Sequence, residues 1–380
     1  MPDAWDLVVV GGGPAGSAAA LRARQLRPDA RVLIVDRADF PRDKPCGDGV
    51  APHALDVLAD LGVPTADIVD GFKPVQRLRL TSPTGYVAAR SMGRQAYVIP
   101  RAVLDARLLT AARERGAHLR RHRVRTLQRA GDVVVLDGSI RARAVVGADG
   151  AESSVRRLLG MPPNRRGHVA VAMRGYAPVP PGCSGEQVIT MTGERWPAYA
   201  WSFPIGDGRA NVGYGEVLRG APVPRTRLLQ RLSDLLPGVE PAPETLRAHR
   251  LPLSSSRPKV VDGPVLLAGD ALSLINPMTG EGIFYAVLSG ALAGEAALLE
   301  QSAGQVYRQL LRRRLHGHLR HTTLVSWLSG WPRLVDGGLL GAQRDQQVFD
   351  DFVELGLGDG RLTLRATASA VGNVVARRVR

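Results

Sequence analysis

An α/β fold is the class this sequence predicts: a nucleotide-binding parallel sheet, interrupted by a β-rich insertion and followed by a helical region. Three observations predict it. A run of β-formers, Leu7 to Val10, leads into Gly11, Gly13 and Gly16 at G-x-G-x-x-G spacing, then a helix-like stretch, a second apolar run and the acid Asp36. Between residues 165 and 258 helix signals thin out, and turns and short alternating strands increase. Residues 301–380 read as mostly helical.

The opening order of strand, glycine turn, helix, strand and carboxylate is that of a dinucleotide-binding βαβ unit. Gly11 permits the tight turn, Gly13 lets backbone approach a pyrophosphate, and Gly16 lets helix and strand pack closely. Pro14 and Ala15 open a helix over Pro14 to Gln25, whose N-terminal N–H groups and partial positive charge suit phosphates. Asp36 lies twenty residues after Gly16, where it accepts hydrogen bonds from ribose hydroxyls, and Arg37 follows it. Next come a loop-rich stretch, Phe40 to Gly49, and a helix over 51–62. Residues 75–90 read as strands around the turn Pro83-Thr-Gly85. Arg101 to Arg115 is an amphipathic helix with Val103, Leu104 and Leu108 near one face. Val133 to Leu136 and Ala144 to Ala148 read as strands, the second ending at Asp149-Gly150.

The composition is that of an ordinary globular protein: 380 residues, 44% hydrophobic and 22% charged. The two cysteines, Cys46 and Cys183, give no disulfide framework, which suits a reducing cytoplasm. The apolar N-terminus lacks a basic leading segment, carries Asp6, and is accounted for by the nucleotide turn rather than a signal peptide. No apolar run is long enough to span a bilayer. The net charge of +15 comes almost wholly from arginine, because Lys44, Lys73 and Lys259 are the only lysines. Compositional bias ranks first as its cause, attraction to an anionic membrane surface second, and nucleic acid a distant third, since no nucleic-acid module is present. His316, His318 and His321 lack carboxylates or cysteines at ligand spacing, so no metal is expected.

Three later motifs turn a dinucleotide into FAD. Val145 to Ala151 is a strand that delivers Asp149 and a tight turn to the pyrophosphate region. Val265-Leu-Leu-Ala-Gly-Asp-Ala271 is a buried strand that delivers Gly269 and Asp270 to its C-terminal end, where α/β sheets bind ligands. Asp270 there can hold the hydroxyls of a ribityl chain. Asn276-Pro-Met-Thr-Gly-Glu-Gly-Ile283 follows. In it Gly280 and Gly282 let backbone approach a flat ring, with Pro277 before them, and a helix from Ile283 offers its N-terminus to a reduced flavin.

With these four motifs the chain resembles, over about residues 5–300, the flavoprotein superfamily of aromatic hydroxylases, flavin halogenases and geranylgeranyl reductases. The resemblance implies a Rossmann-like FAD-binding domain of the GR2 type with an inserted β-rich substrate domain and a helical C-terminal region. The implied FAD-binding parts are 1–75, 101–164 and 259–300. Substrate-domain strands fall at 76–100, the β-rich substrate domain at 165–258, and the C-terminal helices at 301–380. In such proteins the arginine of an Arg-x-x-x-Asp-x-x-Leu helix contacts FAD, and Arg101-Ala-Val-Leu-Asp-Ala-Arg-Leu108 matches. Two segments point to the geranylgeranyl reductases. Lys44-Pro-Cys-Gly-Asp-Gly49 resembles their Pro-Cys-Gly loop near the flavin, which places Cys46 and Gly47 there. Tyr199-Ala-Trp-Ser-Phe-Pro204, followed after eight residues by Gly213-Tyr-Gly215, resembles their substrate-site motif. Strand alternation puts Tyr199, Trp201 and Phe203 on one face, either as a core stripe or as a wall for a long apolar substrate. Cys46 reads either as a small buried hydrophobe or as a thiol that positions or protonates substrate.

The resemblance implies an FAD-dependent reductase that saturates carbon–carbon double bonds of a prenyl chain, with hydride from reduced flavin. Its electrons come from an external donor, NAD(P)H or a reduced ferredoxin, because no second G-x-G-x-x-G unit is present. The alternative is an FAD monooxygenase or, less favoured, a halogenase. Tryptophan halogenases carry Trp-x-Trp-x-Ile-Pro, whereas this chain has Trp201-Ser-Phe-Pro. The expected setting is cytoplasmic, with contact at the membrane surface and no nucleic-acid partner.

Overall fold

A computed structural model describes residues 4–180, 182, 183, 185–194 and 196–376. The N-terminal third runs β1 (Trp5–Val10), α1 (Pro14–Leu26), β2 (Val32–Asp36), β3 (Gly49–Val50), α2 (Pro52–Asp60), α3 (Thr65–Val69), β4 (Val75–Thr81), β5 (Val87–Val98) and α4 (Arg101–Glu114). The middle runs β6 (His118–Arg121), β7 (Leu127–Ala130), β8 (Val133–Leu136), β9 (Ile140–Gly147), α5 (Ser154–Leu158), β10 (Val169–Pro178), β11 (Glu186–Met191), β12 (Ala198–Pro204), β13 (Arg209–Val217), α6 (Arg225–Leu235) and β14 (Arg247–Pro252). The rest is β15 (Val265–Leu267), α7 (Ile283–Ala297), α8 (Ala303–Leu328), α9 (Pro332–Arg344), α10 (Gln346–Leu357) and α11 (Leu364–Ala376).

The first sheet is parallel in the order β6-β2-β1-β9, with β15 parallel to β9 on its other side and β8 and β7 added antiparallel. Leu7 to Val10 and Val32 to Asp36 are buried throughout, as strands covered on both faces must be. The register pairs Val10 with Val35 and with Gly147, and Leu267 with Gly147. The glycine turn, Asp36, Ala148 and Gly269 therefore all leave the sheet at its C-terminal edge.

Helices α1 and α7 cross with their backbones in contact. A Cβ at Gly290 would come 2.1 Å from the Ala15 carbonyl oxygen, and one at Gly294 would come 2.2 Å from that of Ala19. Only glycine fits at those two positions.

The second sheet runs β14-β10-β13-β12-β11-β4-β5-β3 and is antiparallel except where β11 lies parallel to β4. That pair joins two distant chain segments, Val75–Val98 and Val169–Pro252, into one sheet. On β12 the small residues Ala198 and Ala200 face a core shared with Met173, Val212 and Leu228 and Leu232 of α6. Helix α6 lies inside the stretch that reads as β-rich. Its charged segment between prolines hides the two leucines that bury it. Helices α9 and α10 cover the β4–β5 end of the sheet through Leu339, Val348 and Phe349.

Candidate active site

A cavity of about 900 Å³ lies between the C-terminal edge of the first sheet, one face of the second sheet and the C-terminal helices. Every site residue expected from the sequence lines it except Gly16 and Gly269. Those two stand just behind the wall. A Cβ at Gly16 would meet the Gly11 carbonyl oxygen at 1.8 Å, and Gly269 has φ +58° with Ala15 and Ala286 against it.

At one end the glycine turn is locked in place. Gly11 has φ +107°, and a Cβ there would lie 2.4 Å from the Ala148 carbonyl oxygen. The Gly12 N–H donates to Asp36 Oδ2 at 2.8 Å, and the Ala38 N–H donates to Oδ1 at 2.9 Å. Asp36 therefore ties the turn to the end of β2 while still lining the cavity. Arg37 also lines it. Helix α1 starts at Gly13 with no side-chain cap and no acid in its first turn, so its N-terminal dipole meets no negative group of its own. Arg101 is buried and forms a two-pronged pair with Asp105, at 2.6 and 2.8 Å. Burial alone would lower its pKa, but the Asp105 carboxylate reverses this and holds the guanidinium firmly charged. Arg42 approaches Asp105 at 3.3 Å and Asp36 at 3.8 Å. Asp149 turns its carboxylate away to cap α5, accepting from the Ser154 N–H at 2.6 Å and the Ser153 hydroxyl at 2.5 Å. Its Cα lies against the glycine turn, 3.0 Å from where a Cβ on Gly11 would stand.

At the centre, Asp270 meets Lys44 Nζ at 3.2 Å. Burial opposes its charge, but Lys44 and then His249 outweigh burial and hold the carboxyl below its ordinary range. His249 lines the same space with its Nε2 free of any hydrogen bond among the described residues, and burial pushes its pKa down. Glu281 sits between Gly280 and Gly282, and its Oε1 accepts from the Phe284 N–H at 2.9 Å. The carboxylate thus occupies the first turn of α7, where the sequence placed the flavin's charge. Burial raises its pKa to about 7. Burial likewise pushes the Cys46 thiol up, so Sγ keeps its proton at neutral pH. Pro277, Gly280, Gly282 and Ile283 complete this wall.

Opposite stand Tyr199, Trp201 and Phe203, whose successive ring centroids are 6.0 and 6.4 Å apart. All three line the cavity. The glycines of Gly213-Tyr-Gly215 now have a physical reason. Cross-strand register sets Gly213 beside Trp201 and Gly215 beside Tyr199. A Cβ at Gly213 would lie 2.3 Å from Trp201 Cζ2 and 2.3 Å from the Met173 carbonyl oxygen. The indole lies over bare backbone. Its Nε1 donates to Asn211 Oδ1 at 2.9 Å. Asn211 Nδ2 donates to the Cys46 carbonyl at 2.8 Å and to Asp48 Oδ2 at 2.7 Å, and the Tyr176 hydroxyl donates to the same oxygen at 2.6 Å. Asp48 is fully buried at φ +61°, and burial pushes its carboxyl up to about 6. The tryptophan and the cysteine loop are thus held by one amide. Tyr199 OH donates to the Thr279 carbonyl, which ties β12 to the glycine loop.

Beyond the aromatic wall the cavity continues as an apolar arm. Leu78, Leu80, Ile189 and Met191 of the sheet face Leu328 of α8, Leu334, Val335 and Leu339 of α9, Phe352 and Val353 of α10, and Ala370 of α11. No motif in the sequence marks the C-terminal helices for this role. Lys44 and Glu281 lie inside the quoted motifs but were given no part, and Asn211 stands two residues before the Gly-x-Gly. His53 of α2 is largely buried and meets Glu354 of α10 at 2.8 Å. His318 is enclosed between the Tyr285 hydroxyl, at 2.6 Å, and the Gly360 carbonyl, at 2.5 Å.

A family model described as an FAD binding domain matches residues 4–312. The menaquinone reductase of Mycobacterium tuberculosis is 33% identical over 315 residues, covering 77% of this chain and 76% of that protein. Digeranylgeranylglycerophospholipid reductase 1 of Methanopyrus kandleri is 34% identical over 314 residues, covering 77% of this chain and 80% of its own length. A geranylgeranyl bacteriochlorophyll reductase-like protein from Thermoplasma acidophilum shares the fold with a TM-score of 0.74 at 22% identity, over 99% of this chain and 98% of that one. The chain belongs to the geranylgeranyl reductase family of FAD-dependent oxidoreductases. The cleft of this flavoprotein fits its cofactor on local grounds. The α1 terminus is uncapped, and a Cβ at Gly13 would project into the space in front of Arg42 and Arg101, at 3.5 and 3.7 Å from their Nη2 atoms. A polyanion placed there meets helix dipole and guanidinium together.

Proposed function

We propose that this flavoprotein saturates carbon–carbon double bonds in the prenyl chain of an apolar substrate, with electrons from NAD(P)H or a reduced ferredoxin. In this reading Gly11, Gly13, Pro14, Ala15, Asp36, Arg37, Arg101 and Asp149 hold the nucleotide part of FAD. Asp270, Pro277, Gly280, Gly282 and Ile283 hold the ribityl and ring part, and Gly16 and Gly269 shape the wall behind them. Bound FAD supplies hydride chemistry. The chain's own residues hold the alkene and exclude water. Tyr199, Trp201 and Phe203 form the wall along which the unsaturated segment lies, with the Cys46–Gly47 loop packed against Trp201 and Phe203 to brace it. Cys46 Sγ, kept protonated by burial, and Glu281, which titrates near neutrality, are the groups able to deliver a proton to the second alkene carbon.

The observation that carries this reading is the apolar arm running from the aromatic wall into the C-terminal helices. A flat aromatic substrate needs no such arm; a chain of repeating isoprene units does. The names of the two sequence relatives agree on a prenylated substrate and differ in its headgroup. The test is anaerobic turnover. FAD-loaded protein reduced with dithionite is offered menaquinone and a geranylgeranyl lipid, and products are weighed by mass spectrometry. Each saturated bond adds two hydrogens. No anaerobic product, with gain of one oxygen in air, would give the reaction to the hydroxylases instead.

A further inference from the structure

Helix α8 ends in an exposed apolar cluster. Leu324, Trp327 and Trp331 are 47, 64 and 46% exposed, and the two indoles meet edge to face with centroids 4.6 Å apart. The intervening residues turn inward: Val325, Leu328 and Ser329 line the apolar arm, as does Leu334 just beyond. The cluster is therefore the outer side of the arm's own wall. Across from it, Val371 of α11 both lines the arm and is 48% exposed, so the arm reaches the surface there. Leu364, at the start of the same helix, is 90% exposed. The Leu362 N–H donates to His321 Nδ1 at 3.0 Å, which sets the start of α11 against α8.

The same side of α8 is basic. Arg312, Arg313 and Arg320 are exposed and, with Arg333 of α9, form no salt bridge among the described residues. Exposed tryptophans next to unpaired arginines match the interface of an anionic bilayer, where indole sits at headgroup depth and guanidinium meets lipid phosphate. Among the described residues no helix is long and apolar enough to cross a membrane.

We infer that the α8–α9 junction and the exposed face of α11 dock on the surface of an anionic lipid bilayer, so that a prenyl chain passes from the bilayer into the arm without crossing water. The inference rests on the prenyl-chain reading for its purpose but not for its test. The occupant is a bilayer because the apolar cluster is continuous with a greasy cavity and the charges on that face without a salt-bridge partner among the described residues are arginines. An acidic protein partner would use the arginines but leave the tryptophans and Leu364 in water.

The test is flotation of the FAD-loaded full chain with vesicles of equal parts phosphatidylcholine and phosphatidylglycerol, and with pure phosphatidylcholine. The protein should float with the first and not the second, and high salt should release it. Tryptophan emission should shift to the blue and be quenched by brominated lipid, a readout that needs no variant. W327S together with W331S, and separately R312Q, R313Q and R320Q combined, should lower partitioning, each arginine by about five-fold. Both variants should still turn over a detergent-dispersed substrate. Failure of the wild type to float, or variants that float equally well, would overturn the docking face. Salt-sensitive reduction by ferredoxin that depends on the arginines, with no vesicle binding, would also overturn it by giving them to a protein. Flotation reads the surface whether or not the chain reduces a prenyl bond, and the anaerobic mass assay reads that reaction alone.

Discussion

Gly213→Ala is the sharpest test of how the aromatic wall is built. The new methyl carbon would lie 2.3 Å from Trp201 Cζ2 and 2.3 Å from the Met173 carbonyl oxygen. Ordinary carbon contacts lie at about 3.5–4.0 Å, so something must move by about 1 Å or more. Met173 O belongs to β10, whose ladder with β13 runs unbroken from Ala170–Val217 to Pro178–Arg209. The indole is the freer of the two, but moving it breaks the 2.9 Å bond to Asn211 and frees the amide that holds the Cys46 loop. Overpacking of this kind costs about 1–3 kcal/mol, and the backbone clash puts this site at the upper end. Urea unfolding should show that loss. KM for a prenyl substrate should rise, while FAD, which the proposed site holds chiefly through the glycine turn and Arg101, should be retained. Trp201→Phe placed on the alanine variant should recover much of the stability, because the smaller ring leaves the contact zone. A variant as stable as wild type with unchanged KM would refute the claim that bare backbone at Gly213 positions the indole.

Trp201→Ala should cut turnover of a prenyl substrate about ten-fold or more while FAD affinity barely changes; equilibrium flavin binding and steady-state kinetics compare the two. Asp270→Ala should lose flavin on gel filtration, seen as a falling ratio of visible to protein absorbance, and retention equal to wild type would remove Asp270 from the cofactor site. Asp48→Asn tests the buried acid. Burial raises its carboxyl from 3.8 to about 6, so between those values the native state keeps a proton that the unfolded chain has released. Stability should therefore fall as pH rises across that window, by up to about 3 kcal/mol, and level off above it. Asparagine tolerates the left-handed backbone and can still accept from Tyr176 and Asn211, so the variant should fold and lose that slope in urea titrations. Glu281→Gln keeps an acceptor for the Phe284 N–H but cannot titrate; the turnover profile should lose its inflection near pH 7, and an unchanged profile would exclude Glu281 as a proton source.

Much of the geometry around the glycine turn was legible because its constraints are local. A glycine needed at φ +107° beside a carbonyl, an acid at the end of the next strand and a Gly-Asp at a third strand end each leave a mark in a few adjacent residues. The aromatic alternation was legible for the same reason. What lay hidden depends on contacts far apart in sequence. Lys44 meets Asp270 across 226 residues, and Asn211 reaches Asp48 across 163. The C-terminal helices were read as helices but not as cavity wall, since their inward side chains are ordinary leucines, valines and alanines that would serve as well in any core. Helix α6 was missed because only Leu228 and Leu232 are deeply buried on it. Glu281 carries no signal of its own in the sequence, because the glycines on both sides already account for the segment through backbone freedom.

The crossing of α1 and α7 has a mechanical consequence. Glycines at 290 and 294 let the two rods touch main chain to main chain, with no side-chain layer between them to slide or shear. The end that carries the glycine turn and the end that carries Glu281 therefore belong to one stiff bracket. The opposite jaw, α9 and α10, is held to the β4–β5 hairpin through side chains, by an apolar cluster and by hydrogen bonds at Ser82, Thr84, Ala89, Arg90 and Ser91, so it is the side on which a bulky guest meets the softer joint.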